Sequence, residues 1–192
     1  VFSLESGERT DVALSGPVTD LDLSPDGKVA VAVVREKGEA VLLPIPEIAS
    51  EPAPAFALPT TAGEVISLDE ILPQGDALLY FSMGVGCDGC FAQIPEALIG
   101  LQERGLQLVP IMVDPADRVA QEAARIGVAT PILIDESREV SHAYGMLGVY
   151  GHPDRPSHSF ALVRTDGTVA WVKHYSTMFV TLDQLLADMG TA

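Results

Sequence analysis

The chain has 192 residues, of which 47% are apolar and 20% charged, so it can build a packed core and is not expected to be globally disordered. Its formal net charge of −16 repels phosphate backbones and anionic lipid headgroups, so nucleic acid is not expected as a partner. No apolar run reaches the roughly 18 to 20 residues that cross a bilayer, so we expect no membrane insertion by this chain. The sequence begins with Val1, as a mature product or a fragment of a longer protein would.

The first 48 residues predict an antiparallel β-meander. Short apolar or alternating runs at residues 1–4, 10–14, 18–23, 29–34 and 40–45 are separated by segments rich in Gly, Pro and Asp, the residue types that turns require. The stretch around Ser24-Pro25-Asp26-Gly27 resembles the strand-turn-strand that opens a β-propeller blade. Only about one blade is present, so we expect either the tail of a larger propeller or an appendage of the second domain.

A domain boundary is predicted at residues 49–55, because this stretch is small, polar and rich in proline and cannot continue a packed element. The predicted organisation is therefore a meander over residues 1–48, a linker over 49–55, and a second domain over 56–192.

Beyond the linker, the pattern changes to alternating strands and helices. Buried or half-buried strands are predicted at residues 76–83, 106–113, 130–134, 159–163 and 168–174, and helices at 88–103, 114–126, 137–144 and 182–189. Asp114 and Pro115 fit the N-cap and first turn of the second of these helices. The pattern indicates an α/β fold with a central mixed sheet flanked by helices, in which the last hairpin adds an antiparallel edge.

Cys87 and Cys90 are the only cysteines, and they are too close in sequence to close a long stabilising loop. Cys87 lies between a predicted strand and the following helix, where the helix dipole commonly lowers a cysteine pKa to about 3.5 to 7.5. The negative charge of Asp88 acts in the opposite direction. Cys90 lies one turn further on and is expected to be more buried, so it can attack a mixed disulfide formed at Cys87.

Residues 56–175 resemble the redoxin branch of the thioredoxin-like superfamily, which contains the alkyl hydroperoxide reductase and thiol-specific antioxidant proteins. The resemblance rests on the leader at residues 56–59 and 63–68, the strand 78–81 ahead of Cys87-Asp88-Gly89-Cys90, Ala143-Tyr144-Gly145, and the hairpin 159–169. It implies a thioredoxin-like fold with Cys87 as nucleophile, Cys90 as resolving thiol and no cofactor besides the redox-active disulfide. By analogy alone, it points to an extracytoplasmic bacterial setting.

The sequence departs from that family at two places. Peroxiredoxins carry Pro and Thr seven and three residues before the reactive cysteine, whereas Tyr80 and Gly84 stand there relative to Cys87, and Met83 and Cys87 relative to Cys90. The second departure precedes the last hairpin, where thioredoxins carry a cis-proline and peroxiredoxins an arginine.

Arg155, Pro156 and His158 occupy that second region, and three interpretations stay open. Pro156 supplies the proline through a shifted loop, His158 faces the thiols, or His158 only begins an edge strand. An imidazole beside Cys87 could stabilise the thiolate and move its proton. The predicted site therefore consists of the two cysteines and a lining set: Gly86, Asp88, Gly89, Arg155, Pro156 and His158.

The leading functional hypothesis is a thiol:disulfide oxidoreductase that exchanges with a disulfide or dithiol in a protein partner. A thiol-dependent peroxidase using Cys87 is the first alternative. A soft-metal-binding module is the second, since residues 83–90 also resemble a heavy-metal-associated loop. The third is a redoxin-like binding module without catalysis. His142, His152 and His174 have no metal-like spacing. The oligomeric state is not predicted.

Overall fold

The computed structural model describes residues 13–23, 29–44 and 51–190. The chain divides into two compact units, residues 1–50 and 51–192, and each is described by itself. Within the described residues, every helix is too short or too polar to cross a bilayer.

The first unit is a three-stranded antiparallel sheet. Its strands are β1 (Asp20–Leu23), β2 (Val29–Val34) and β3 (Glu39–Pro44), in the order β1-β2-β3. Ala30, Ala32 and Val34 are buried at every second position of β2, as expected for a strand with one covered face. The predicted antiparallel meander is thus confirmed for these strands. The strand predicted at residues 1–4 and most of the one at 10–14 lie outside the described residues, and the propeller assignment stays a prediction.

The second unit contains seven strands and five α-helices among its described residues. The strands are β4 (Ala57–Pro59), β5 (Val65–Ser67), β6 (Asp76–Phe81), β7 (Leu106–Met112), β8 (Leu133–Ile134), β9 (His158–Val163) and β10 (Val169–Tyr175). The helices are α1 (Leu68–Ile71), α2 (Asp88–Gln102), α3 (Ala116–Ile126), α4 (Glu139–Ala143) and α5 (Leu182–Met189).

Five of these strands form a mixed sheet in the order β10-β9-β6-β7-β8. The pairs β6–β7 and β7–β8 are parallel, whereas β9 runs antiparallel to both β6 and β10. The predicted mixed sheet with a final antiparallel hairpin is therefore confirmed. Because β9 is an interior strand, the interpretation that His158 begins an edge strand is wrong; only β10 lies at that edge.

The alternation of side chains along β6 decides which residues reach the cysteines. Leu78 and Tyr80 belong to the apolar cluster that includes residues of α2, α3 and α5, whereas Leu79 and Phe81 pack with α1 and β4. A strand points successive side chains to opposite faces, so Tyr80 faces the helix that carries the cysteine pair.

Two local predictions differ from the structure. Asp114 does not cap α3: the N-cap is Pro115, which makes no side-chain cap hydrogen bond, and Asp114 faces the loop after β6 instead. The predicted strand 130–134 shortens to Leu133–Ile134, since Pro131 has no N–H to pair with a neighbour.

The sequence analysis defined no elements over residues 57–71, where the β4–β5 hairpin and α1 lie. Residues 51–55, assigned to the linker, are tied to the turn between β9 and β10. The backbone N–H of Ala53 donates to the carbonyl of Gly167 at 2.8 Å, and that of Val169 donates to the carbonyl of Glu51 at 2.9 Å.

Candidate active site

Cys87 and Cys90 are joined by a disulfide bond across the first turn of α2. Cys87 is the N-cap of the helix, and its Sγ accepts a hydrogen bond from the backbone nitrogen of Cys90 at 3.3 Å. Cys87 is 8% exposed and Cys90 is fully buried. A reactant therefore has more access to Cys87, and the N-terminus of α2 favours negative charge on that sulfur.

The charge of Asp88 has a partner that the sequence analysis did not anticipate. The guanidinium of Arg125 on α3 donates to the Asp88 carboxylate and, at 2.7 Å, to Glu122. Both carboxylates raise the pKa of Arg125 above its ordinary value, Glu122 having the larger effect. Since Arg125 places a positive charge against Asp88, the repulsion expected between Asp88 and a Cys87 thiolate is partly offset.

The loop between β6 and Cys87 is fixed by side chains from elsewhere in the unit. Asp114, two residues after the end of β7, accepts a hydrogen bond from the backbone nitrogen of Val85 at 2.8 Å. Arg155 donates to the carbonyl oxygen of Met83 at 2.8 Å, and its guanidinium lies 3.7 Å from Asp114. These contacts set where the chain enters Cys87.

Gly84 allows the close approach of Asp114 to this loop. Its φ is +81°, and a Cβ at this position would lie 2.0 Å from Oδ2 of Asp114. Gly84 is the residue that stands where peroxiredoxins carry threonine. No side chain fits there while Asp114 keeps this position, so this position of the chain carries no hydroxyl.

Gly89, inside the motif, lies close to the backbone of another segment. A Cβ on Gly89 would lie 3.0 Å from the carbonyl oxygen of Met178, in the segment before α5. Met178 is 43% exposed and Phe179 41% exposed. Gly86 is exposed and immediately precedes Cys87.

A chain of buried polar groups leads from the backbone of Cys90 to Gln93 on α2. The Oη atom of Tyr80 lies 3.1 Å from the carbonyl oxygen of Cys90 and 3.0 Å from Nδ1 of His158. Nε2 of His158 lies 3.2 Å from Oε1 of Gln93 on α2, and the backbone nitrogen of Val180 donates to the same oxygen at 2.7 Å. His158 is thus linked to Cys90 through Tyr80.

The protonation of this chain follows from burial and from the acceptor role of Gln93. Burial lowers the pKa of His158 to about 4 and raises the pKa of Tyr80 well above its ordinary value, so both side chains are neutral at pH 7. Since Oε1 of Gln93 can only accept, Nε2 of His158 carries the ring hydrogen and Nδ1 is the acceptor. The Tyr80 hydroxyl has one hydrogen and two neighbouring acceptors, the carbonyl oxygen of Cys90 and Nδ1 of His158, so the two contacts share it.

The predicted lining residues are distributed unevenly around the cysteines. Arg155 contacts the loop that leads to Cys87, and His158 reaches Cys90 through Tyr80 rather than through its sulfur. Pro156 is buried beside them, and the described residues contain no cis peptide bond. The catalytic roles assigned to Cys87, Cys90 and the lining residues stay predictions.

Three residues of the site were missed in the sequence analysis: Tyr80, Gln93 and Asp114. Gln93 lies three residues after Cys90 on the predicted helix, and this spacing places both residues on the same helix face. It was a usable signal for Gln93. Asp114 follows a strand parallel to β6, and the carboxyl ends of parallel strands meet at one edge of a sheet. That position was a usable signal for Asp114.

A mixed sheet flanked by helices, with a Cys-x-x-Cys pair at the junction of a central strand and its helix, defines a thioredoxin-like redoxin. A family model described as the AhpC/TSA family matches residues 49–172, which is more than half of the sequence. The chain belongs to the AhpC/TSA family.

Two curated relatives, from two strains of Mycobacterium tuberculosis and both provisionally named as peroxiredoxins, are 31% identical to the chain over 99 residues. The matched region is 50% of this chain and 62% of each relative, so the chain spans less than two thirds of their length.

Solved structures show the same fold. Peroxidoxin BcpB from Mycobacterium tuberculosis is similar with a TM-score of 0.59 and 23% identity, covering 73% of this chain and 95% of that one. A Bacteroides thetaiotaomicron protein, provisionally named as a protein disulfide isomerase, is similar with a TM-score of 0.55 and 20% identity, covering 73% and 85%. At these identities the likeness concerns the fold alone.

Proposed function

We propose that the second unit is a thiol:disulfide oxidoreductase in which Cys87 is the nucleophile and Cys90 the resolving thiol. The observation that supports this most strongly is the asymmetry of the pair. Cys87 caps the helix and is 8% exposed, whereas Cys90 is fully buried one turn further on. The more exposed thiolate at a helix N-terminus attacks first, and the buried neighbour completes the exchange.

The proposed reaction has two steps. The Cys87 thiolate attacks one sulfur of a partner's disulfide, forming a mixed disulfide and releasing the partner's other sulfur as a thiolate. The Cys90 thiolate then attacks Sγ of Cys87, forming the Cys87–Cys90 bond and releasing the partner's remaining thiolate, which takes up a proton from water. The partner gains two electrons and the cysteine pair loses two. The same steps in reverse oxidise a partner dithiol.

The proposed substrate is a disulfide in a protein partner, as the resemblance to disulfide-exchanging redoxins implies. Insulin provides a test, since reduction of its interchain disulfides is followed by precipitation of the free B chain. With dithiothreitol as electron donor, we expect the wild type to accelerate precipitation and Cys87→Ser to abolish the acceleration. Equal rates with and without the wild type would contradict the proposal.

A second candidate is a thiol-dependent peroxidase, favoured by membership of the AhpC/TSA family and by the names of the curated relatives. In that reaction the Cys87 thiolate would attack one peroxide oxygen, breaking the O–O bond and releasing the other oxygen as water or an alcohol, and Cys87 would become a sulfenic acid. Cys90 would then attack the Cys87 sulfur, expel water and form the disulfide. Gly84 and the adjacent Asp114 carboxylate weigh against it, because they leave the position of the peroxiredoxin threonine without a hydroxyl.

Rapid-mixing fluorescence distinguishes the two candidates. If the reduced protein reacts with hydrogen peroxide much faster than free cysteine does and reduces insulin slowly, the peroxidase is supported and disulfide exchange is rejected. Slow reaction with peroxide together with fast insulin reduction supports disulfide exchange.

In either reaction the redox group is the cysteine pair itself. Within the part of the chain that the structure describes, no group of three or more His, Cys, Asp or Glu side chains is arranged to bind a metal ion. Tight one-to-one binding of copper(I) by the reduced protein, together with no turnover of disulfides, would favour the soft-metal module instead.

A further inference from the structure

Gln93 is held in one orientation by a backbone donor. Its side chain is fully buried, and Oε1 accepts the hydrogen bond from the backbone nitrogen of Val180 at 2.7 Å. A backbone N–H can only donate, so the amide oxygen, not the amide nitrogen, must face Val180. Oε1 also lies next to Nε2 of His158. The oxygen end of Gln93 therefore has two donors.

The amide nitrogen of the same side chain has no partner. Among the described residues, Nε2 of Gln93 has no hydrogen-bond acceptor, although the atom is buried. A buried donor without an acceptor costs free energy, and folded proteins retain few of them. Exchanging the oxygen and nitrogen of the amide would not help, because the nitrogen would then meet the N–H of Val180.

Cys90 lies one helical turn before Gln93, and its sulfur is a group whose acceptor strength changes with redox state. Residues three apart on a helix lie on the same face, so Cys90 and Gln93 are neighbours on α2. A chain of contacts also links the two residues: Gln93 contacts His158, His158 contacts Tyr80, and Tyr80 contacts the carbonyl oxygen of Cys90. In the disulfide the Cys90 sulfur is neutral and a weak acceptor, whereas a thiolate accepts strong, charge-assisted hydrogen bonds.

We propose that Gln93 is a positioning residue for the redox pair, and that its free amide N–H groups hydrogen-bond to the Cys90 sulfur when the disulfide opens. This inference rests on the proposed disulfide exchange. A partner thiolate attacks Sγ of Cys87, the Cys87–Cys90 bond breaks, and its electron pair stays on Sγ of Cys90 as a thiolate. Gln93 stabilises that thiolate, while Val180 and His158 keep the amide oriented.

The test compares the wild type with Gln93→Met, which keeps the length of the side chain and removes its donor. Loss of the amide oxygen leaves Val180 and His158 without their acceptor in both redox states, so this loss largely cancels in a redox equilibrium. We expect the equilibrium constant for reduction by glutathione to fall about fivefold in Gln93→Met. Gln102→Met, an exposed change at the end of the same helix, is the matched control and should leave the constant unchanged.

Two further readouts separate this role from a purely structural one. The difference between wild type and Gln93→Met should widen as pH rises and the Cys90 thiolate becomes more populated. In the wild type, the side-chain amide resonance of Gln93 should move on reduction in ¹H–¹⁵N spectra, a measurement that does not depend on whether the variant folds.

The outcomes distinguish the two proposals. If the wild type exchanges with glutathione but Gln93→Met has the same equilibrium constant at every pH, the role of Gln93 is overturned and disulfide exchange stands. An amide resonance of Gln93 that stays in place on reduction also overturns it. If the wild type does not exchange with glutathione or insulin at all, the proposed function itself fails.

Discussion

The carboxylate of Asp114 accepts a hydrogen bond from the backbone nitrogen of Val85 at 2.8 Å, two residues before Cys87. Asp114 follows β7 and Val85 follows β6, so the contact joins the ends of two adjacent parallel strands. Arg155 approaches the same loop and lies 3.7 Å from this carboxylate. The position of Cys87 is thereby tied to the carboxyl ends of these two strands.

Asp114→Ala removes this acceptor and leaves the Val85 N–H and the Arg155 guanidinium without it. We expect a loss of about 1 to 3 kcal/mol in the free energy of unfolding and at least a roughly tenfold lower rate of insulin reduction, because Cys87 is no longer held in place. Urea unfolding and the insulin assay measure the two effects. Asp114→Asn, which keeps an acceptor oxygen, should retain most of both; equal losses in the two variants would argue against the hydrogen bond as the cause.

Gly84→Ala should destabilise the protein for two reasons. Its Cβ would overlap Oδ2 of Asp114, and a φ of +81° is unfavourable for any residue with a Cβ. Only the overlap disappears when Asp114 is also replaced. We therefore expect the double variant Gly84→Ala/Asp114→Ala to be more stable than the summed single losses predict, by about 1 kcal/mol in urea unfolding. Additive losses would show that the two residues do not compete for the same space.

The stability of the fold should depend on pH through His158. Burial lowers its pKa from the ordinary 6.5 to about 4, so between these values the unfolded chain binds a proton that the folded protein does not. The native state therefore loses stability as the pH falls from 6.5 toward 4. Between pH 7.5 and 5, we expect a loss of about 2 kcal/mol from this residue.

Urea unfolding of the wild type and of His158→Gln at pH 7.5 and pH 5 isolates the contribution of His158 to the free energy of unfolding. The carboxylates titrate alike in the two proteins, so their effect cancels in the comparison. The variant should lack about 2 kcal/mol of the wild-type pH dependence. Identical slopes would mean that His158 titrates normally in the folded protein.

Arg125→Met should expose Cys87 to the uncompensated charge of Asp88. We expect the reduced protein to react with iodoacetamide two- to threefold more slowly at pH 7, roughly what a screened surface charge contributes. Stability should change little because both side chains are largely exposed. The double variant Asp88→Asn/Arg125→Met should recover the wild-type rate. No recovery would indicate that Arg125 acts through something other than Asp88.

Much of the fold could be predicted because its signals are local. Apolar runs define β6 and β7, and the spacing of Phe91, Ile94 and Leu101 defines α2. Strand β8 is shorter than the strand predicted at residues 130–134, because the apolar pattern was given more weight than Pro131, which has no N–H to pair with a neighbour.

The buried part of the site could not be predicted in the same way. Tyr80 and Gln93 are 78 and 65 residues from His158, and their contact depends on β9 lying next to β6. Asp114 fitted an N-cap equally well, because an aspartate that caps a helix and one that fixes a neighbouring loop look the same in a sequence.

The central claim is that Cys87 attacks a partner's disulfide and Cys90 resolves the product. Peptide mass spectrometry of Cys90→Ser and Cys87→Ser, each mixed in the reduced form with glutathione disulfide, tests this most directly. We predict a stable glutathione adduct at Cys87 in the first variant and almost none at the buried Cys90 in the second. Equal modification of Cys90 in Cys87→Ser, or no adduct at Cys87 in Cys90→Ser, would contradict the assignment.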